Sequence, residues 1–368
     1  MIEQRFGESE PFSLGVEEEL MILDGESLQQ KPAVAELLRE LDGETADGRF
    51  KTELFASVVE LNTPVCGTAT EARERILELR RAVVAAAERL GLAIAAAGTH
   101  PRSRPEEQEI VPERRYQEML AYAGPSARRQ GVNGLHVHVG MPSGDGCLHA
   151  LEAILPWLPV ILALSSNSPY FAGRDSEFAS SRAPVLAELP RSGAPPMFRT
   201  FAEWERYVER VTALKLPADY TALWWDVRPH PRFGTLEVRI PDQPTDVERT
   251  AALVALVQAL CAAALDGSSP ECDAGSRAIY QQNRWAAARF GLAADLIDAT
   301  ARRKLRASEL VRELLELVEP AAQALGSAEL LAVLDPERSE ADRQLERGRE
   351  HGLEAVCRDL VERSVPSP

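Results

Sequence analysis

Leu14-Gly15-Val16-Glu17-Glu18-Glu19-Leu20 and Gly134-Leu135-His136-Val137-His138-Val139-Gly140 are the stretches on which the fold turns. Two more belong with them: Val58-Val59-Glu60-Leu61-Asn62 and Thr235-Leu236-Glu237-Val238-Arg239-Ile240. Alternate side chains of a strand share a face. Glu17 therefore projects with Glu19, His136 with His138, and Glu237 with Arg239, while the opposite face of the last three strands is mostly apolar. Carboxylates are poor strand formers, and burying them unpaired is costly. Several on sheet faces imply a cation there, and oxygen-rich donor sets suit a hard divalent ion such as Mg²⁺ or Mn²⁺.

The 368 residues suffice for one large domain or two ordinary ones. The formal charge of −16 argues against broad nucleic-acid binding, which needs a basic footprint. Anionic substrates remain open to it, because local arginines and metal ions can recruit them. Cys66, Cys147, Cys261, Cys272 and Cys357 are scattered and form no CxxC pair, so a zinc site or disulfide framework is not expected. Free thiols point to a reducing compartment. The start of the chain, Met1 to Glu10, is polar and acidic, unlike a signal peptide. Leu151 to Leu164 is apolar but short and interrupted by Glu152, Pro156 and Pro159, which reads as a buried helix rather than a membrane span. The expectation is a soluble cytoplasmic protein with no nucleic-acid or membrane partner.

Working outward, strands are predicted at Phe12 to Leu23, Leu92 to Ala97 and Val132 to Met141. Phe50 to Asn62 is extended up to Pro64. Helices are predicted at Pro32 to Leu41, Glu113 to Tyr122, within Gly144 to Ser166, and at Phe201 to Leu216. Thr68-x-x-Glu71 and Thr245-x-x-Glu248 match the capping box that opens a helix, the first running to about Gly91 and the second to about Asp266. Thr221 to Val227 and Gly234 to Ile240 read as paired strands joined by the Pro-rich Arg228 to Phe233. Ser168 to Pro196 reads as a long polar loop, of the kind that forms lids. From Glu271 onward the pattern is helical: Ser276 to Arg289, Ala293 to Glu319, then shorter helices to Arg363, with Val365 to Pro368 as a tail. The fold class predicted is α+β, with helices covering one face of an antiparallel sheet. A single domain over 1–368 is expected, with the sheet in about 10–245 and a helical part in about 246–368.

No Walker A, GxGxxG, HExxH or GxSxG pattern occurs. Phosphate chemistry would have to rest on metals and arginines. Each candidate also has an ordinary structural reading. Glu17 and Glu19 could be the polar face of an edge strand. His136 and His138 could be satisfied strand histidines. Glu237 and Arg239 could be a simple ion pair. Glu18 lies on the opposite face. Glu53 and Glu60 differ by an odd seven positions, so they converge only if a bulge or loop intervenes. Arg228 and Arg239 have the bidentate geometry of phosphate clamps.

Taken in order, these motifs resemble the glutamate–cysteine ligase type 2 family and its YbdK-type carboxylate–amine ligases. The resemblance also draws on Gly98-Thr99-His100-Pro101, Arg115-Tyr116-Gln117, Ser168-Pro169-Tyr170 and Phe178-Ala179-Ser180-Ser181-Arg182. Trp225-Asp226-Val227-Arg228-Pro229, Phe233-Gly234-Thr235 and Asn283-Arg284 with Arg289 continue it, and it spans about residues 10–295. It implies a bowl-like antiparallel sheet similar to the catalytic domain of glutamine synthetase. It implies ATP-dependent amide formation through an acyl phosphate, with glutamate and cysteine as the nearest precedent, Mg²⁺ or Mn²⁺ as cofactor, and a homodimer. By the same resemblance Glu19, Glu60 and Glu53 would hold one ion, and Glu17, His136 and Glu237 a second. Arg239 would face the transferred phosphate, and Arg228, Arg182, Arg284 and Arg289 would contact phosphates or the substrate carboxylate. Two alternatives stay open on the same fold: a phosphotransferase of the guanidino-kinase type, and a non-catalytic binding protein.

Overall fold

The computed structural model describes residues 2–41, 49–214, 219–267, 275–298 and 302–366. The chain runs through strands β1 (Leu14–Asp24), β2 (Phe50–Thr52), β3 (Val58–Asn62), β4 (Leu92–Ala95) and β5 (Leu135–Gly140), then β6 (Tyr170–Phe171), β7 (Arg174–Asp175), β8 (Val227–His230) and β9 (Thr235–Val238), and last β10 (Asp295–Ile297) and β11 (Lys304–Arg306). The main sheet has the order β2-β3-β1-β5-β9-β8, with β4 also pairing the far half of β1. All its pairings are antiparallel. Among the described residues this is the α+β arrangement expected from the alternation of strands and helices.

The helices lie behind the sheet because its rear face is apolar. Leu14, Val16, Leu135, Val137, Val139, Leu236 and Val238 are buried in one cluster with residues of the helices Ala69–Arg89, Gly144–Ile154 and Val247–Leu265. Gly144–Ser165 and Val247–Leu265 are long and apolar enough to cross a membrane. However, 83% and 94% of their apolar windows are buried against the rest of the chain, as core helices are. Glu18 falls on this rear face, as its parity predicts. It meets Arg80 of the helix Ala69–Arg89 at 2.6 and 2.8 Å, both side chains being almost wholly buried. The same guanidinium donates to the carbonyls of Pro244 and Thr245. A buried cation so fully satisfied fixes the helix against β1.

Several local expectations are corrected. Thr68 does cap its helix, accepting from the Glu71 amide. Thr245 does not: the second helix begins at Val247, Thr245 donates its amide to Glu340, and Glu248 pairs with Arg73. Thr221 lies in the 3-10 turn Tyr220–Ala222, and the strand starts only at Val227 and includes Pro229. Proline is tolerated there because β8 is the sheet's edge and needs no donor on its outer side. The connection to β9 is the single turn Pro231–Phe233, closed by left-handed Gly234, where a Cβ would meet the Arg5 carbonyl at 2.3 Å.

The presumed polar loop after Ser168 folds into the hairpin β6–β7 and the helix Arg182–Leu186. Its Ser168 and Ser180 hydroxyls donate to buried Asp242, which pins this part of the segment. The region read as a helix from Ala293 to Glu319 instead makes the β10–β11 hairpin before the helix Ala307–Ala324. Cys272, the start at Glu271, and the ends of the predicted helix at Leu216 and of the tail at Pro368 lie outside the described residues.

Candidate active site

The register of the main sheet explains how residues far apart in sequence meet. Glu17 stands opposite His136, and Glu19 opposite Glu60. His138 stands opposite Glu237, which stands opposite Arg228. The front face of the sheet is thus a continuous set of charged and imidazole groups, because each strand contributes the same parity.

The seven-residue offset of Glu53 is resolved by the turn. β2 and β3 are antiparallel partners, with Lys51 opposite Glu60, and the chain reverses through 53–57. Glu53 therefore arrives beside Glu60 rather than behind it. Glu19, Glu53 and Glu60 bring three carboxylate oxygens within 4.8 Å of one another. The Lys51 ammonium is 3.8 Å from Glu60, and the charges of Arg115 and Arg239 reach Glu53. Burial, and then the charge of Glu19, pushes the Glu53 carboxyl up to about 7. Burial, and then the charges of Glu17 and Glu53, pushes Glu60 up to about 8. A divalent ion is what such a crowded donor set would fit.

The second group is Glu17, His138 and Glu237, again within 4.8 Å. The expectation placed His136 there, and the geometry favours His138. His138 Nδ1 sits 2.9 Å from the Thr235 hydroxyl, while its buried Nε2 has no hydrogen-bond partner and lies 3.5 Å from a Glu17 oxygen. An imidazole oriented through one nitrogen, with the other bare and aimed between carboxylates, is the usual arrangement of a metal-binding histidine. His136 instead bridges the two groups, with Nδ1 3.0 Å from Glu17 and Nε2 3.8 Å from Glu19. Burial and the Arg239 charge lower its basicity. Burial opposes the charge of Glu17, but the neighbouring His136 and His138 imidazoles outweigh it and hold the carboxyl well below the usual carboxylate range.

Glu237 anchors the arginine side of the site. Burial opposes its charge, but Arg228 and Arg239 outweigh burial and keep it ionised. Arg239 donates to Glu237 Oε1 and lies 3.5 Å from His136 Nδ1. Its other side-chain nitrogens take no protein acceptor among the described residues. The remaining arginines differ from the expectation. Arg228 donates to both oxygens of Glu237, at 2.5 and 3.1 Å, and to the carbonyls of Thr221 and Leu223. Arg182 donates to the carbonyls of Arg239 and Ile240 and lies so close over Gly134 that a Cβ there would meet it at 2.2 Å. Arg284 forms a two-pronged pair with Asp226, at 2.6 and 3.1 Å. Arg289 pairs with Glu177 at 2.9 Å. Buried guanidinium groups need acceptors; Arg228 and Arg284 find them within the protein, as do two nitrogens of Arg182, whose buried Nε has no partner among the described residues. These contacts occupy most of the donors that the resemblance assigned to phosphates or a substrate carboxylate.

Sequence reasoning quoted Asp226 within a motif but gave it no role, and it passed over Asp242 and Gln243. The amide of Glu19 donates to the Gln243 side chain at 3.1 Å, and the carboxylate of Glu19 accepts from the Gly134 amide at 2.6 Å. Arg239 donates its amide to the Asp226 carbonyl. Long-range contacts define what these residues do, and for Asp242 and Gln243 no local pattern announces them.

This fold is shared with solved ligases. A glutamate–cysteine ligase from Francisella tularensis, crystallised with AMP, superposes with a TM-score of 0.72 over 97% of this chain and 89% of that one, at 14% identity. A bifunctional glutathione synthetase from Pasteurella multocida gives 0.68 over 96% of this chain and 53% of its own, also at 14% identity. In sequence, residues 13–359 match the model of glutamate–cysteine ligase family 2 (GCS2). A Rubrobacter xylanophilus protein with the provisional designation glutamate–cysteine ligase 2-3 is 41% identical over 98% of this chain and 99% of its own. A Herpetosiphon aurantiacus protein with the provisional designation glutamate–cysteine ligase 2 is 37% identical over 96% and 94%. The chain belongs to glutamate–cysteine ligase family 2.

Proposed function

We propose that this protein joins the γ-carboxylate of glutamate, or a close analogue, to the amine of cysteine or another small amine, using ATP and Mg²⁺ or Mn²⁺. The coarser statement follows from the family: an ATP-dependent carboxylate–amine ligase of the glutamate–cysteine ligase type. The observation that carries the finer reading is the pair of three-residue donor groups on one sheet face, with Arg239 beside them.

Amide formation in water is uphill, so the acid must be activated. Its carboxylate oxygen attacks the γ-phosphorus of ATP, giving an acyl phosphate and ADP. The amine nitrogen then adds to the acyl carbon, and the tetrahedral adduct collapses to the amide, releasing phosphate and a proton. Glu19, Glu53 and Glu60 would hold one divalent ion, and Glu17, His138 and Glu237 a second. Such ions supply charge neutralisation at the phosphates and alignment for in-line transfer. Glu237 fixes Arg239, whose open edge would meet charge developing on the transferred phosphoryl group. Arg228, Arg182 and Asp226 hold these residues in register. The chemistry needs no covalent enzyme nucleophile. The four described cysteines are buried, and burial pushes the thiol of Cys66 up to about 11 and those of Cys261 and Cys357 to about 12. Free buried thiols suit a reducing compartment, and we place the protein in the cytoplasm.

The test is ADP release by the purified protein with ATP and Mg²⁺ across amino acids and amines, singly and in pairs, with product mass measured. Release that requires glutamate plus one amine, with the matching amide, supports the reading. Phosphate retained on an acceptor, with no amide, would refute it.

A further inference from the structure

Arg191 has no part in the chemistry described so far, yet it is held in an unusual way. Its backbone is left-handed, with φ 61°, in Pro190-Arg191-Ser192-Gly193. That region is unfavourable for a residue with a Cβ, and such strain persists only where the surroundings enforce it. Its guanidinium carbon lies 5.3 Å from the ring centroids of both Tyr122 and Trp224. Nε donates to the Ala222 carbonyl at 3.3 Å, and Nη1 to the Tyr122 hydroxyl at 3.2 Å. Nη2 takes no acceptor, and no carboxylate pairs with this arginine, among the described residues. Acids outnumber bases in the chain by 57 to 41, so an arginine steadied by rings instead of an acid keeps its charge for something else.

Two short connections tie Arg191 to the site. The carbonyls of Thr221, Ala222 and Leu223 are consecutive. The first and third accept from Arg228, which holds Glu237, and the middle one accepts from Arg191. The two guanidinium groups therefore grip the same turn. In addition, the Gly193 carbonyl accepts from the Asp226 amide, and the Asp226 carbonyl accepts from the Arg239 amide.

A ligase that activates one carboxylate of an amino acid must recognise the rest of that molecule, or any small acid would be activated. A guanidinium matches a carboxylate edge with two parallel donors, and flanking rings fix its plane while leaving an edge open. We propose that Arg191, caged by Tyr122 and Trp224, binds the non-reacting carboxylate of a dicarboxylic amino-acid substrate. The assignment rests on the ligase reading above. It makes Arg191 a specificity-determining residue.

The experiment measures turnover and binding with Arg191→Met, Arg191→Lys and Trp224→Leu in the full chain. L-Glutamate is compared with γ-aminobutyrate, which keeps the reacting carboxylate but lacks the other. Arg191→Met should raise the KM for glutamate about 10- to 100-fold, the usual range for a lost charged hydrogen bond, with the KM for ATP changed less than about twofold. It should also abolish the preference for glutamate over γ-aminobutyrate. Arg191→Lys should recover part of the loss, since it keeps charge without the planar fork. Trp224→Leu should raise the glutamate KM by a smaller factor. A raised KM for ATP with glutamate unaffected would overturn the proposal in favour of a phosphate contact. Unchanged constants for both would overturn it too. If no amino-acid pair gives turnover in the wild type, calorimetric titration with L-glutamate in the presence of Mg²⁺ and ATP still tests Arg191. Equal binding by wild type and Arg191→Met would refute the assignment, and loss of binding in the variant would support it, whatever reaction follows.

Discussion

Glu60→Gln should make the metal-free protein more stable at alkaline pH while weakening its response to metal. The Glu60 side chain is 14% exposed, and its carboxyl is pushed up to about 8 from an ordinary 4.5 by burial, then by Glu17 and Glu53. A folded-state value above the unfolded one means that the folded protein keeps a proton the unfolded chain gives up. The associated stability is fully present below about pH 4.5 and is lost as pH rises through about 8. At ~1.4 kcal/mol per pKa unit, and with the repulsion shared between Glu53 and Glu60, this loss is about 2–5 kcal/mol. Unfolding entropy of ~2.1 cal/mol/K per residue gives ~0.8 kcal/mol/K for the whole chain, so the melting temperature falls by about 3–6 °C. Thermal melts of chelator-treated protein between about pH 6 and pH 9 should show that fall in the wild type and a smaller one in Glu60→Gln, where Glu53 stays raised by burial and Glu19. Mg²⁺ or Mn²⁺ should restore the wild type at high pH, because an ion bound only to the folded form adds stability by mass action, and should raise the variant less, through the intact group of Glu17, His138 and Glu237 alone. A metal-free Glu60→Gln protein less stable than wild type at about pH 8.5, or one raised by Mn²⁺ as much as wild type, would refute the charge-crowding account.

Arg239→Ala should lower kcat by about 10²–10³ with little change in KM for ATP, since its free edge is needed as charge develops; equal losses in both would contradict that role. His138→Ala should weaken Mn²⁺ binding by at least about tenfold in a direct titration, whereas His136→Ala should leave it within about threefold, the reverse pattern restoring His136 as the ligand. Glu18→Leu strands the buried Arg80 cation and should destabilise the protein by about 3–5 kcal/mol in denaturant unfolding, a loss below about 1 kcal/mol contradicting the burial. Cys66→Ser should keep turnover within about twofold of wild type, and its loss would reopen a role for the thiol, which burial holds in its neutral form.

Strand parity determined much of this protein before any coordinates. The alternation in 14–20, 134–140 and 235–240 pairs Glu17 with Glu19, His136 with His138 and Glu237 with Arg239 and sets Glu18 opposite, and the register then brings these pairs to one face. Period-two patterning is local, so it survives in the sequence alone. Tertiary structure alone decided which histidine completes the second donor group, because His136 and His138 share parity and differ only in what Thr235 and Arg239 bring beside them. It also decided that Glu53 joins Glu60 through a strand reversal, and that Arg228, Arg182 and Arg284 are already held by Glu237, backbone carbonyls and Asp226. A sequence shows which side chains can carry charge. Whether a guanidinium is free for a ligand depends on whether folding has already given it an acceptor, and these acceptors are set by chain reversals and long-range packing.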